Sequence, residues 1–206
     1  MIVKVCGMRE ADNIRAVIEA GADWIGLIFW PESKRYVSQI RFRSGFLPDY
    51  SSLETPGKAG REPIVQPKAV KRVGVFVDDM PQTIVTRVVN YKLDVVQLHG
   101  DESPVMIDNL RSTLDPDIRK GIKIMKTISI AEASDFAKCQ LLNAYQYDVP
   151  FLLSGGIGPD DCSQIKAVHH PQLLGVDINS RFETEPAVKD AALVRNFIAE
   201  LKESGS

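Results

Sequence analysis

The chain has 206 residues, 44% of them apolar and 25% charged, an ordinary balance for a folded domain and one that excludes disorder over most of its length. Twenty-five Lys and Arg face 27 Asp and Glu, a net charge of −2, so no basic surplus draws the chain to nucleic acid or to an anionic membrane. No run approaches the roughly 18 apolar residues of a membrane span, and three cysteines, at 6, 139 and 162, are too few and too scattered for a disulfide framework or a zinc site.

Lys4 and Arg9 interrupt any signal-peptide core at the start of the sequence. The expectation is one domain over 1–206, in the reducing cytoplasm, working without nucleic acid or membrane. Short apolar runs alternate with amphipathic stretches. Residues 2–6 read as a strand and 10–20 as a helix, with Ile14, Val17 and Ile18 on one face. Residues 24–30 form the second strand. The stretch 41–71 then lacks a clear helix, and its part 55–68 reads as a surface loop. Strands follow at 73–77, 95–98, 122–127, 151–153 and 174–178, and helices at 81–91, 104–114, 131–138, 159–168 and 185–202. Pro81, Pro104, Pro159 and Pro186 stand near helix starts, where a missing N–H costs little.

Alternating strands and helices predict a parallel sheet with right-handed crossovers. An open sheet gathers its ligand groups at one switch point, whereas a (β/α)8 barrel draws them from most of its strands onto one face. Here polar or glycine-bearing segments follow nearly every strand: Cys6-Gly7, 31–36, Asp78-Asp79, His99-Gly100, Ser154-Gly155-Gly156 and Asn179-Ser180. The expected fold class is therefore an α/β, (β/α)8 TIM barrel. Only seven strands are countable, however. From 122 to 151 the sequence has room for one unit of about 30 residues where a barrel needs two. The segment 141–146 reads as a helix tail with no strand before it. The spacing thus predicts that a sixth strand and its loop are missing between Cys139 and Gln140.

Several residues suit chemistry. Cys6, at the end of the first strand, is placed to act as nucleophile or base, although a lone cysteine is more often a core thiol. Arg35, after the second strand, offers a fork for a carboxylate; its plainer reading is a solvated arginine. His99 ends the fourth strand, with Gln97 and Asp101 as polar neighbours. Gly155 and Gly156 let the backbone approach an anion, and Asn179 and Ser180 follow the next strand. Loops after strands seven and eight are the usual phosphate site of a barrel. Asp78 and Asp79 are expected to cap the following helix. Cys139 and Cys162, on helical segments, are expected to be structural.

Six stretches together, in order from end to end, resemble the phosphoribosylanthranilate isomerase family of tryptophan biosynthesis: KVCGM at 4–8, ESKRYV at 32–37, KRVGVFVDD at 71–79, VVQLHGDES at 95–103, FLLSGGIGPDD at 151–161 and GVDINSRFETEPAVKD at 175–190. The resemblance implies a barrel with no metal or organic cofactor, monomeric or homodimeric, acting on a small phosphorylated substrate. It implies an Amadori rearrangement of N-(5-phosphoribosyl)anthranilate to 1-(2-carboxyphenylamino)-1-deoxyribulose 5-phosphate. Carried over by motif, Cys6 is the base and Arg35 holds the anthranilate carboxylate. Gly155, Gly156, Asn179 and Ser180 lie at the phosphate, and Gln97, His99 and Asp177 line the pocket.

One part of the family pattern is absent. The family's general acid is an aspartate ending the sixth strand, followed by a glycine-rich loop, and the sequence runs from DFAKC at 135–139 straight into QLLNAY at 140–145. Asp135 and Asp148 fall at the wrong places to replace it. Arg181 stands where many relatives have glycine. Two other functions compete. An indole-glycerol-phosphate synthase would want a catalytic lysine on an early strand; Lys4 lies within the first strand, but no lysine ends the second or third. A non-catalytic phosphosugar-binding barrel would keep the phosphate groups and lack the acid.

Overall fold

The computed structural model describes residues 1–38, 70–127 and 150–203. The expected helix at 131–138, the fragment at 141–146, the junction of Cys139 with Gln140 and most of 41–71 lie outside the described residues. Seven parallel strands form one sheet: β1 (Ile2–Val5), β2 (Trp24–Ile28), β3 (Lys71–Phe76), β4 (Val95–Leu98), β5 (Lys123–Lys126), β6 (Phe151–Ser154) and β7 (Leu173–Ile178). Their order is β5-β4-β3-β2-β1-β7-β6. Each pair of adjacent strands is consecutive in sequence except β1 with β7. That first-to-last pairing curls the sheet on itself, as in a barrel, and differs from the switch point of an open sheet. Among the described residues β5 and β6 are its two ends, and the interval 128–149 lies between them in sequence.

The strand positions follow from their composition. Val3, Val5, Ile25, Leu27, Val96, Leu98, Val176 and Ile178 are buried, and strands covered on both faces read as near-continuous apolar runs. Helices α1 (Ala11–Glu19), α2 (Pro81–Tyr91), α3 (Pro104–Leu114), α4 (Cys162–Lys166) and α5 (Ala191–Lys202) complete the described units. Ile14 and Val17 of α1, Ile84 and Val88 of α2, and Ile107, Leu110 and Leu114 of α3 are their buried faces. None of the helices among the described residues is long and apolar enough to cross a membrane.

Three expectations need correction. The helix expected over 159–168 is a short 3-10 turn, Pro159–Asp161, followed by the five-residue α4. The helix expected over 185–202 begins only at Ala191. Residues before it form an antiparallel hairpin of β8 (Glu183–Glu185) and β9 (Val188–Lys189), with Pro186 in the turn and Ala187 at φ 70°. The start is set by Asp190, whose side chain accepts hydrogen bonds from the N–H groups of Ala192 and Leu193, both at 3.0 Å. Finally, Asp78 and Asp79 do not cap α2. Met80 precedes the helix, Asp79 accepts only from Met80 N, and Asp78, at φ 47°, accepts from Asp101 N instead.

Because Asp190 satisfies two otherwise unpaired N–H groups, Asp190→Ala is expected to lower stability by about 1 kcal/mol. In urea unfolding the midpoint should fall with an unchanged slope. Pro186→Ala, in the hairpin turn, should not alter helix content by circular dichroism.

Candidate active site

The polar groups collect at the C-terminal ends of the strands. Along β1, Lys4 and Cys6 are two residues apart and so project to the same side of the sheet. Lys4 is wholly buried and Cys6 is 7% exposed. The register of β1 on β7 sets Lys4 beside Asp177, and the Lys4 ammonium donates to Asp177 Oδ2 at 2.5 Å. On the other flank, β2 offers Gly26. A Cβ there would stand 2.8 Å from Cys6 Sγ and 3.2 Å from Lys4 Nζ, so only glycine leaves room for both. Burial opposes the Lys4 charge, but the Asp177 carboxylate and the neighbouring Cys6 outweigh it and keep the ammonium protonated. Burial pushes the Cys6 thiol up, Lys4 pulls it down, and Asp177 pushes it up again, so the net shift is upward.

Arg35 stands against the same corner. Its Cδ is 2.5 Å from where a Cβ on Gly7 would be, and Gly7 takes φ 73°, so the residue after Cys6 must be glycine for the arginine to lie there. The guanidinium donates through Nε and Nη2 to the two oxygens of Glu183, at 2.7 and 2.6 Å. Glu183 also accepts from Lys189 Nζ at 2.5 Å, and the same ammonium donates to Asn179 Oδ1 at 2.9 Å. Burial works against the Glu183 charge, yet Arg35 and Lys189 hold its carboxyl below the ordinary range.

Gln97 is buried in β4, where its amide donates to Thr127 Oγ1 at 2.9 Å rather than to His99. Its Oε1 and the Oδ1 of Asp177 are buried without a partner, two acceptors able to take hydroxyl or amine donors. His99 stands exposed at the rim, and partial burial followed by the charges of Lys4 and Lys126 lowers its pKa. Gly155 and Gly156 follow β6 at φ 104° and 65°, exposed, with open space on their Cβ side. Ser180 opens the 3-10 turn after β7, and the Arg181 side chain lies against Gly158. The structure thus brings Cys6, Arg35, Asp177 and Asn179 together around the β1–β7 seam, with Gly155 and Gly156 ending the next strand and Gln97 and His99 ending β4. Cys162 is buried on α4, apart from the site.

Reading the sequence missed Lys4, Glu102, Lys126, Glu183 and Lys189. Glu102 accepts from Asp78 N, Gly100 N and Lys126 Nζ, tying together the ends of β3, β4 and β5. Lys126 also donates to the Gly100 carbonyl. A signal existed for Lys4, since a lysine inside an apolar strand requires a carboxylate partner.

A profile described as N-(5'-phosphoribosyl)anthranilate (PRA) isomerase matches residues 58–148 and 138–200. An N-(5'-phosphoribosyl)anthranilate isomerase of Phocaeicola vulgatus is 36% identical over 231 residues, covering 98% of this chain and 98% of the relative. One of Parabacteroides distasonis is 34% identical, covering 98% and 93%. The chain belongs to the phosphoribosylanthranilate isomerase family. Solved structures agree in fold. Monomers generated from the dimeric phosphoribosylanthranilate isomerase of Thermotoga maritima superpose with a TM-score of 0.70 at 26% identity, covering 98% of this chain and 99% of theirs. A phosphoribosylanthranilate isomerase in complex with reduced 1-(o-carboxyphenylamino)-1-deoxyribulose 5-phosphate reaches 0.72, with the same identity and coverage. The alignment to the Phocaeicola relative spans 231 positions, more than the 206 residues of this chain, and the profile matches in two pieces that meet at 138–148.

The Glu102 carboxyl is the pH-sensitive tie of this face. Burial opposes its charge, but Lys126 and the backbone N–H groups it accepts from outweigh burial and hold it below the ordinary range. A carboxyl lowered on folding contributes stability above its unfolded pKa and loses that contribution as pH falls through its folded value. Glu102→Gln should therefore be less stable than the parent at neutral pH, with the difference shrinking below about pH 4. Urea midpoints measured from pH 7 to pH 3 check this; a gap constant across that range would contradict it.

Proposed function

We propose that this chain converts N-(5-phosphoribosyl)anthranilate to 1-(2-carboxyphenylamino)-1-deoxyribulose 5-phosphate, with Cys6 as base and Arg35 holding the anthranilate carboxylate. The observation carrying this reading is the corner where a buried thiol, a buried ammonium and a carboxylate-gripping fork meet: Cys6 and Lys4 flank Gly26, and Arg35 lies against Gly7. Gly155, Gly156, Asn179 and Ser180 receive the phosphate. Both glycines take positive φ, backbone that other residues rarely adopt, and an anion can be bound by backbone N–H groups without a basic surface. Asn179 Oδ1 accepts from Lys189, so phosphate, itself an acceptor, calls on the donors of Asn179, its side-chain NH2 and its backbone N–H.

In the reaction, an acid protonates the ribose ring oxygen and the bond from C1 to that oxygen breaks, leaving an iminium at C1. The Cys6 thiolate takes the proton from C2, and the C2–H electrons form the C1–C2 double bond of an enolamine while the iminium is neutralised. Proton return to C1 and loss of the C2 hydroxyl proton give the ketone. Lys4 is the charge that stabilises the thiolate in this apolar surround. The unpartnered Gln97 Oε1 and Asp177 Oδ1 accept from the sugar's hydroxyl groups, and His99 closes the rim.

The general acid belongs to a segment between Cys139 and Gln140 that completes an eight-stranded barrel. Support comes from the spacing of the strands, from the sheet ends at β5 and β6, and from the longer alignment and two-piece profile match described above. The printed continuity of Cys139 with Gln140 favours a second reading, a phosphosugar-binding barrel without turnover.

Three measurements test this. Cys6→Ser should lower turnover by about a hundredfold or more while retaining phosphosugar binding, whereas Cys162→Ser leaves turnover essentially unchanged. Since burial raises the thiol, kcat/KM of the parent should still be climbing above about pH 8 as thiolate forms. Near-parental turnover in Cys6→Ser would remove it as the base. The intact mass of the purified chain decides the segment: a value above 22.8 kDa by about 30 residues restores the missing unit. A mass of 22.8 kDa without turnover makes the binding protein the better reading.

A further inference from the structure

The hairpin β8–β9 carries two charged side chains that the mechanism leaves unused, Glu183 and Lys189, and both are buried: their side chains are 6% and 0% exposed. Lys189 is held in place by Asn13 of α1, which accepts from its N–H at 2.8 Å and donates to its carbonyl at 2.7 Å. Two buried charges off the main sheet are costly to maintain unless each has partners. They are fully partnered: Glu183 accepts from Arg35 Nε and Nη2, Lys189 Nζ and Ala187 N.

This arrangement has two consequences for Arg35. A guanidinium can present two forked edges, and Glu183 occupies the Nε/Nη2 edge, which fixes the plane of the group and leaves the Nη1/Nη2 edge for a second carboxylate. An arginine paired with one glutamate is neutral as a pair and attracts little. Lys189 adds its charge to the same carboxylate, so the three groups together carry one net positive charge. We propose that Glu183, backed by Lys189, is the positioning residue that aims Arg35 at the substrate carboxylate and leaves it net cationic. The proposal rests on the reading of Arg35 as the carboxylate grip. It also ties that grip to the phosphate corner, because Lys189 reaches Asn179.

The test is binding by calorimetry to the full chain, so it does not depend on turnover. The probes are reduced 1-(o-carboxyphenylamino)-1-deoxyribulose 5-phosphate and its counterpart lacking the ring carboxylate. Glu183→Gln should weaken the carboxylate-bearing probe about tenfold and leave the other within about twofold. Glu183→Asp, which keeps the charge but not the reach, should do the same and decides the matter if the glutamine variant does not fold. In an Arg35→Met background, Glu183→Gln should add no further selective loss. Equal weakening of both probes, additive losses in the double variant, or unchanged binding of the carboxylate-bearing probe would overturn the proposal. If Arg35→Met alone fails to separate the two probes, the carboxylate role of Arg35 is what has failed, and the positioning role falls with it.

Discussion

The pairing of Lys4 with Asp177 is the constraint on which the site depends. It joins the first strand to the last, because the two residues are register partners across β1 and β7. A buried ion pair adds little net stability compared with apolar packing, yet losing either partner strands the other charge and typically costs 3–5 kcal/mol. Such a pair therefore enforces a register more than it strengthens a fold. A slip of one residue would turn Lys4 and Cys6 to the other face of β1 and leave both charges unpaired. The register that brings the ammonium to the carboxylate is also the one that sets the Cys6 thiol at the C-terminal end of the strand, two residues beyond it.

The same logic explains which parts of the molecule could be read from the sequence. The bounds of β4, α2 and α3 were legible because 95–98 is a short apolar run and because proline opens each helix just ahead of a clear apolar face. Cys6 and the Gly155-Gly156 pair stood out because each follows a recognisable strand, whereas Gln97 and Asp177 were singled out through the family resemblance. Glu183 and Lys189 were not. In sequence Lys189 falls in the polar start of the helix expected over 185–202 and Glu183 just before it, and what holds them is a partner 148 residues away for Glu183 and a clamp on α1 for Lys189. Charged residues are normally exposed, so a charge buried by a distant partner gives almost no local signal. The helix start was misplaced for the same reason: the Asp190 cap prevailed over the proline four residues earlier, which serves a hairpin turn.

Glu102 illustrates a further limit. It stands three residues after His99 in a motif whose histidine and glutamine drew attention, but its contribution is architectural. By accepting from the backbone after β3 and after β4, and from Lys126 on β5, it holds three strand ends at fixed spacing. Pre-organisation of this kind matters to catalysis because reacting groups must be held within a fraction of an ångström. Nothing in the spacing of the motif announces it, since the residues it joins come from three separate units.

The sheet order also shows how the two functional readings can share one geometry. The Cys6 thiol, the Arg35–Glu183 pair and the corner after β7 are built on β1, β2, β7, the segment after β2 and the hairpin, around the seam where the first strand of the sheet meets the seventh. That cluster is closed by contacts among described residues alone: Lys4 to Asp177, Arg35 to Glu183, Lys189 to Asn179. The ends of the sheet, β5 and β6, belong to the opposite arc. Under the proposed mechanism, binding of a phosphorylated, carboxylate-bearing ligand draws on groups at or after β1, β2, β4, β6 and β7, and the proton donor for ring opening on the interval between β5 and β6. The two can be separated physically, because binding asks for fixed dipoles and charges while ring opening asks in addition for a positioned acid. In that mechanism the interval supplies the proton for ring opening and Cys6 removes the proton from C2, so turnover depends on both.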